Sequence, residues 1–381
     1  MNEFDILIVG GGPAGSSLAY RLKDSGLRVA ILDQRAFPRQ KVCAGWVTPE
    51  VMRLLDINLE DYARDRVLQP ITGFSIGLLG NVQVESQFEG EPVSYGIRRI
   101  EFDHYLLERC GAHLILDEAL DTMSRSDTGW LINNRLQTKL LVGAGGHNCP
   151  VARAIDAKPK GELAVVAQEV EFAPEPEQMA LCNVQEEVPE LFFTPDLKGY
   201  GWVFRKGDYL NIGLGREDKK RLPAHVQAFR EFLEQDGKIP PDLVPDFDGH
   251  AYLLYHHARR KLLGDHAVLI GDAAGLAYPQ SGEGIRPAVE SALIAADVIL
   301  EAAGDYSTDS LARYQQRIEA RYGVRPDRPR MMERLPASLK QYFASRLMRT
   351  AWFTRKVVIE KWFLQNHQPT LGDTSSTATR R

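Results

Sequence analysis

Cysteine is scarce in this chain. Cys43, Cys110, Cys149 and Cys182 are the only four in 381 residues, widely spaced and with no C-x-x-C pair. Such spacing excludes the disulfide framework of a small secreted domain and offers no zinc-binding pattern, so reduced thiols in a cytoplasm, and no metal site, are the expectation. Long hydrophobic runs are missing too. None nears the roughly 18–20 residues that span a bilayer, and Asn2, Glu3 and Asp5 interrupt the early apolar stretch a secretory signal needs. Positive charge is not in excess: 46 Lys and Arg stand against 51 Asp and Glu, which gives no reason to expect a nucleic-acid partner. Charge is uneven, however. From Arg321 to Lys361 there are eleven Lys or Arg and three Asp or Glu, and a basic end of this kind favours an anionic surface. What remains is an ordinary globular composition, 44% apolar and 25% charged, long enough for two or three domains.

The apolar run Asp5–Val9 meets glycines at once and reads as a buried parallel strand. Pro13–Ser25 has helical spacing, and Val29–Leu32 is a second apolar run that ends in Asp33. Strand, helix and strand within 35 residues make a βαβ unit. Leu140–Val142 running into Gly143, and Ala267–Ile270 running into Gly271, predict two more central strands. Between them, Ile71–Val84, Ala164–Glu171, Leu191–Phe204 and Tyr209–Leu214 alternate and are rich in aromatics, as in a mixed or antiparallel sheet. Ile285–Ala303 predicts a long Ala-rich helix, and the last 55 residues predict helices punctuated by Pro326, Pro329 and Pro336.

The expected fold is therefore α/β. A Rossmann-like nucleotide-binding domain is assembled from discontinuous segments (1–70, 96–155 and 260–325), with a sheet domain for substrate inserted (71–95 and 156–259). A helical region (326–370) and a small, polar, disordered tail (371–381) follow.

Gly10-x-Gly12-x-x-Gly15 carries the first chemistry. Gly10 permits a tight turn, Gly12 lets the backbone approach a pyrophosphate, and Gly15 lets the helix pack on the strand. Pro13 and Ala14 open that helix, whose N-terminus offers unpaired N–H groups and partial positive charge to phosphates. Asp33, followed by Gln34 and Arg35, ends the second strand where an acid accepts hydrogen bonds from ribose hydroxyls. Far along the chain, Gly271-Asp272-Ala273-Ala274-Gly275 follows a strand, and Pro279, Gly282, Glu283, Gly284 and Ile285 lead into a helix. Asp272 suits the hydroxyls of a ribityl chain, and this second helix N-terminus suits a reduced flavin ring. Together the two motifs describe FAD rather than a nicotinamide nucleotide.

These paired motifs resemble the flavoprotein superfamily of the p-hydroxybenzoate hydroxylase fold, over most of Met1 to Ala303. The resemblance implies that Asp272 contacts the ribityl chain and that Arg99, in Arg99-Ile100-Glu101-Phe102-Asp103, contacts FAD on its ribose–pyrophosphate side. The superfamily's G-A-D-G reads Gly143-Ala144-Gly145-Gly146 here, which weakens any pyridine-nucleotide role for that segment.

Three further segments are similar to those of geranylgeranyl reductases. They are Lys41-Val42-Cys43-Ala44-Gly45, Tyr200-Gly201-Trp202-Val203-Phe204, and Pro279-Gln280-Ser281-Gly282-Glu283-Gly284-Ile285. Ala44 replaces a usual glycine, and Arg205 stands where proline is usual after Phe204. The resemblance implies reduction of carbon–carbon double bonds in an apolar, prenyl-like substrate by hydride from reduced FAD. NAD(P)H and a ferredoxin both stay open as electron donor. Tyr200, Trp202 and Phe204 alternate, so they share one face of a strand and can form an aromatic wall for an apolar chain, or simply pack a core.

Cys43 is the expected proton donor or substrate-positioning group near the flavin, with Lys41 close enough in sequence to lower its pKa. Glu283 is the second catalytic candidate, its plainer reading being a first-turn carboxylate favoured by the helix dipole. The alternatives are an aromatic monooxygenase, a halogenase (disfavoured because Gly201–Lys206 lacks W-x-W-x-I-P), and a non-catalytic flavin-binding module. Leu335–Leu364 mixes Leu, Phe, Trp and Met with Lys and Arg, which predicts either peripheral membrane contact or a solvated helical cap.

Overall fold

The computed structural model describes residues 2–217, 219–325 and 337–372. Contacts divide the chain into two units, each assembled from three separate segments. The first takes Met1–Gln40, Ile100–Ala164 and Tyr252–Asp327. The second takes Lys41–Arg99, Val165–Ala251 and Arg328–Arg381.

The first unit is built on a sheet whose strands run in the order Leu263–Gly264, Ala267–Leu269, Leu136–Gly143, Asn2–Val9, Val29–Leu32 and His113–Ile115. The last five of these are parallel to their neighbours. A short antiparallel pair, Met123–Ser126 and Gly129–Ile132, adds to Leu136–Gly143. Ile6, Leu7, Ile8, Ile31, Leu140 and Leu141 are all fully buried, as both-face burial of a parallel strand requires. Two helices, Pro13–Leu22 and Ile285–Glu301, pack on each other beside this sheet. The second of them is buried along nearly its whole length, which its run of alanine and β-branched residues permits.

The second unit is a seven-stranded sheet in the order Asp248–Tyr252, Val165–Phe172, Tyr209–Arg216, Gly199–Lys206, Glu190–Phe193, Gly73–Leu78 and Val84–Gln87. One face packs Val203, Leu210, Ile212 and Leu214 against the helix Leu222–Gln235 through Leu222, Val226, Phe229 and Leu233. A Cβ at Gly201 would lie 2.7 Å from the Phe229 ring, so that helix sits directly on the strand backbone. The opposite face carries the even-numbered residues of Gly199–Lys206 and is described below. A three-stranded sheet of Trp46–Val47, Ser94–Ile97 and Leu68–Ile71 belongs to the same unit.

The division differs from the segments read in the sequence. Residues 41–70 and 96–99, assigned there to the cofactor domain, cluster with the second unit, because Trp46–Val47 and Leu68–Ile71 both pair with Ser94–Ile97. Residues 252–259 cluster with the first unit, where Leu254 bridges to Ala277 and the Tyr255 hydroxyl donates to the Gly323 carbonyl at 2.6 Å. The carboxy-terminal residues cluster with the second unit instead of forming a separate region. They form the helix Ala337–Leu347 and a π-helical stretch Thr354–Phe363. Pro326, Pro329, Pro336 and the tail from Asp373 onward lie outside the described residues.

Candidate cofactor and substrate sites

In the first unit the functional residues cluster at the carboxyl ends of four adjacent parallel strands, where a doubly wound sheet leaves a crevice. The strand Asn2–Val9 delivers Gly10 at φ +115°, and a Cβ there would sit 2.5 Å from the Ala144 carbonyl oxygen. Ala144 in turn donates its N–H to the Val9 carbonyl at 2.8 Å. Gly143 and Ala144 therefore back the glycine turn, which explains their position without a pyridine nucleotide. A Cβ at Gly15 would overlap the Gly10 carbonyl, so helix and turn meet there at backbone distance. Asp33 Oδ2 accepts the Gly11 N–H at 2.7 Å and Oδ1 accepts the Arg35 N–H at 3.0 Å, which aims the acid at the turn.

The helix Pro13–Leu22 begins at Gly12 and Ile285–Glu301 at Gly284, both glycine N-caps that bring no side chain to the helix N-terminus. The two motifs converge. Gly271, at φ +58°, places its Cβ position 3.0 Å from Ala14 Cβ and 3.3 Å from Ala288 Cβ. Asp272 Oδ1 is 3.1 Å from the Cβ position of Gly284, so any side chain at 284 would crowd that carboxylate. A glycine cradle, two helix ends with glycine N-caps and two carboxylates in one unit fit a flavin dinucleotide. Gly10, Gly12, Pro13, Ala14, Gly15 and Asp33 suit its pyrophosphate and ribose, and Asp272 with Gly282–Ile285 its ribityl and ring end.

Arg39 escaped the sequence reading. Its Nη2 is 3.4 Å from the Cβ position of Gly12, its Nη1 is 3.5 Å from the fully buried Asp103, and its guanidinium stacks on Phe37. It brings a cation to the pyrophosphate end of the cradle. No motif spacing marks it, because Asp103 and Gly12 reach it only through the fold. Arg99 is the first residue of the helix Arg99–Glu108 and is only 8% exposed, so it is not a solvated helix-end charge.

Glu283 departs from its plainer reading. It precedes the helix, and its carboxylate oxygens are buried, with the Arg286 backbone N–H as the nearby donor. Burial pushes its carboxyl up to about 8 against the pull of Arg286, and Glu290 adds to the rise. Arg286 is held by Glu290 at 2.8 Å, and Glu290 also takes Arg321 at 2.6 Å and the Tyr322 hydroxyl at 2.8 Å. With the nearby cations bound to Glu290, burial tips Glu283 toward its protonated form.

The second unit holds the other predicted residues. Strand register aligns Tyr200 with Gly215 and Ala167, Trp202 with Gly213 and Glu169, and Phe204 with Asn211 and Glu171. All nine lie on one face, so aromatic rings on one strand stand across glycines from carboxylates on another. A Cβ at Gly213 would overlap the Trp202 ring, and it would lie 2.7 Å from Glu169 Cβ, so only glycine lets ring and acid close over this strand. Trp202 Nε1 donates to Asn211 Oδ1 at 2.7 Å. Tyr200 is half-buried and joins Phe193, Trp202 and Phe363, whose ring also stacks on Trp46. Phe204 is enclosed, with a Cβ at Gly96 reaching its ring at 3.4 Å.

The turn carrying Cys43 is clamped from the sheet. Glu169 Oε1 accepts the Cys43 N–H. Lys206, fully buried, donates to the carbonyls of Ala44 at 2.8 Å and Ile97 at 3.1 Å and pairs with Glu171. The Cys43 sulfur accepts the Gly45 N–H at 3.4 Å. The Lys41 Nζ lies 2.9 Å from His250 Nδ1. Lys206 was legible in principle, because the alternation that puts 200, 202 and 204 on one face puts 206 there as well. By the same parity Arg205 falls on the other side, where it pairs with Glu186, so its departure from the usual proline is off the aromatic face. All four cysteines are free thiols. Among the described residues, no group of three His, Cys, Asp or Glu side chains is placed to hold a metal ion.

The FAD binding domain family matches residues 3–71. Over 312 residues the chain is 27% identical to geranylgeranyl diphosphate reductase of Rhodobacter capsulatus, covering 74% of this chain and 71% of the relative. Over 342 residues it is 26% identical to digeranylgeranylglycerophospholipid reductase 3 of Methanosphaera stadtmanae, covering 85% and 84%. A crystal structure of a geranylgeranyl bacteriochlorophyll reductase-like protein from Thermoplasma acidophilum matches with a TM-score of 0.71 at 21% identity, covering 91% of this chain and 88% of that one. The halogenase PltM shares the fold with a TM-score of 0.65 at 18% identity, covering 84% and 74%. The class is thus an FAD-dependent oxidoreductase of the p-hydroxybenzoate hydroxylase fold. Within it, this chain is similar to proteins named geranylgeranyl and digeranylgeranylglycerophospholipid reductases.

Proposed function

We propose that the protein reduces carbon–carbon double bonds in a polyprenyl substrate. The observation that carries this reading is the aromatic face of the second unit. Tyr200 and Trp202 extend through Phe363 and Trp46 into a continuous aromatic cluster, in which Tyr200 and Trp46 stay partly exposed, and such an edge suits an isoprenoid chain with few polar groups to satisfy. Relatives named for geranylgeranyl and digeranylgeranylglycerophospholipid reduction support it.

Bound FAD, once reduced, supplies the hydride. The chain's own residues hold the cofactor, align the alkene and exclude water. Arg39 and the glycine-turn helix would neutralise its pyrophosphate, and Asp272 would orient its ribityl hydroxyls. The aromatic face holds the prenyl chain by apolar burial, and Cys43, fixed by Glu169, Gly45 and Lys206, presents a thiol from a rigid turn. NAD(P)H or a ferredoxin would serve as the electron donor.

The test is anaerobic. The FAD-loaded protein is reduced with dithionite and mixed with geranylgeranyl diphosphate, other polyprenyl lipids or prenylated quinones. Flavin reoxidation together with a product two hydrogens heavier per double bond is expected. Flavin that stays reduced with every such compound sinks the reading. Oxygen uptake stimulated by an aromatic compound would favour the monooxygenase instead.

A membrane is the proposed source of substrate. Tyr342, Phe343, Leu347 and Trp352 are exposed on the carboxy-terminal segment, amid Arg346, Arg349, Arg355 and Lys356. Aromatic side chains among cations suit the interface of an anionic bilayer. No described helix is long and apolar enough to cross one.

A further inference from the structure

We propose that Glu169 is the acid that delivers the proton to the alkene, an inference that rests on the reductase reading above. An alkene that takes a hydride on one carbon needs a proton on the other, and the donor must stand beside the substrate wall, hold a proton at working pH and have a face free to give it. The second unit places one such carboxyl group.

Glu169 lies on the aromatic face, one glycine away from Trp202, and Gly213 is what lets the two approach. The residue is 4% exposed. Its two oxygens are unlike: Oε1 is anchored by the Cys43 N–H, while Oε2 is buried with no hydrogen-bond partner. A buried polar oxygen with no partner is costly unless something arrives to use it. Anchoring one oxygen on a backbone amide leaves the other presented in a fixed direction.

The surrounding charges keep the proton on without trapping the conjugate base. Burial pushes the carboxyl up to about 7, and Glu171 adds to the rise, while Lys206, the Cys43 N–H and Lys41 oppose it. The nearby cations each have another commitment. Lys206 pairs with Glu171 and two carbonyls, Lys41 lies against His250, and Arg98 pairs with Glu171 at 3.1 Å while stacking on Tyr209. Among the described residues no cation is bonded to Glu169 itself, so burial favours the acid form. Lys206 and the Cys43 amide are still near enough to stabilise the carboxylate once the proton leaves.

In the step itself, the Glu169 O–H bond breaks and a C–H bond forms at the second alkene carbon. The π pair becomes that bond, the cofactor's hydride forms the other, and the carboxylate regains its proton from solvent. Cys43 is then a positioning residue whose amide orients the acid, rather than the proton source.

The test uses the full-length, FAD-loaded chain as wild type, Glu169→Gln, Glu169→Asp and Cys43→Ser. Single-turnover reoxidation of the dithionite-reduced flavin by geranylgeranyl diphosphate is followed across pH. The wild-type rate should fall as pH rises through about 7. Glu169→Gln keeps the acceptor for the Cys43 amide but holds no transferable proton. Its rate should drop on the order of 100-fold or more and lose that pH dependence, while flavin absorbance and flavin affinity stay unchanged. Glu169→Asp should keep the pH dependence at a reduced rate, and Cys43→Ser should keep it too.

A second readout needs no turnover. In pH-difference infrared spectra of the oxidised protein, a protonated-carboxyl band should vanish as pH rises through about 7, and Glu169→Gln should lack it. If Glu169→Gln turns over with the wild-type rate and profile, or if Cys43→Ser alone abolishes the pH dependence, the proposal is overturned. If wild type fails to reduce any polyprenyl compound, the reductase reading fails instead. The infrared band then decides separately whether Glu169 holds its proton near neutrality, and its absence would overturn the assignment.

Discussion

At the scale of single residues, glycines decide what the cofactor cradle can hold. Gly10 combines a left-handed backbone with a carbonyl 2.5 Å from where a Cβ would stand, so two independent penalties fall on any substitution. Gly10→Ala is expected to destabilise the protein by about 2 kcal/mol or more and to release most of its FAD. Thermal unfolding, with flavin absorbance of the purified protein as the second readout, checks both. A variant that keeps its flavin and its melting temperature would contradict the cradle as described. Gly213 acts differently, since its role is not a turn but the closeness of Trp202 to Glu169.

Among secondary-structure elements, the start of the helix Ile285–Glu301 concentrates a buried charge network that gives stability a pH slope. Glu283 holds its proton in the folded chain up to about 8, whereas an unfolded glutamate loses it near its ordinary value. The folded form therefore binds more protons across that window, and stability contributed by this group is lost as pH rises toward and through about 8. Glu283→Gln removes the titration. Its denaturant midpoint should fall less than that of wild type between about pH 6 and about pH 9. Equal losses in the two proteins would show that Glu283 is not the titrating group. Glu290 behaves oppositely: Arg321 and Arg286 hold it below the usual range despite its burial.

On the scale of the whole molecule, the chain is interleaved, each unit taking three segments of sequence. The carboxy-terminal segment serves the second unit in two ways. Phe363 joins the aromatic surface, and the exposed Tyr342, Phe343, Leu347 and Trp352 form the proposed bilayer contact. Phe343→Ser combined with Trp352→Ser should weaken co-sedimentation with anionic vesicles several-fold and leave flavin content unchanged, because neither ring is part of the core. Undiminished binding by the double variant, or no binding by wild type, would remove the membrane from the account.

The amino-acid sequence by itself brought the candidate cofactor residues together in two local motifs. Gly10, Gly12, Gly15 and Asp33 act within one βαβ unit, and Gly271–Ile285 within one strand–turn–helix, so their chemistry is written in local spacing. Alternation likewise determined that Tyr200, Trp202 and Phe204 share a face, and the same parity carried Lys206. Only the tertiary structure decided which partners those residues meet. Glu169 reaches the Cys43 turn from 126 positions away, Arg39 reaches Asp103 across 64, and Trp202 reaches Glu169 over a glycine on an intervening strand. Register between strands, unlike periodicity along one, is set by how distant faces bury. That is why Lys41, the nearest cation in sequence, proved to lie against His250, while the groups that hold Cys43 came from elsewhere in the sheet.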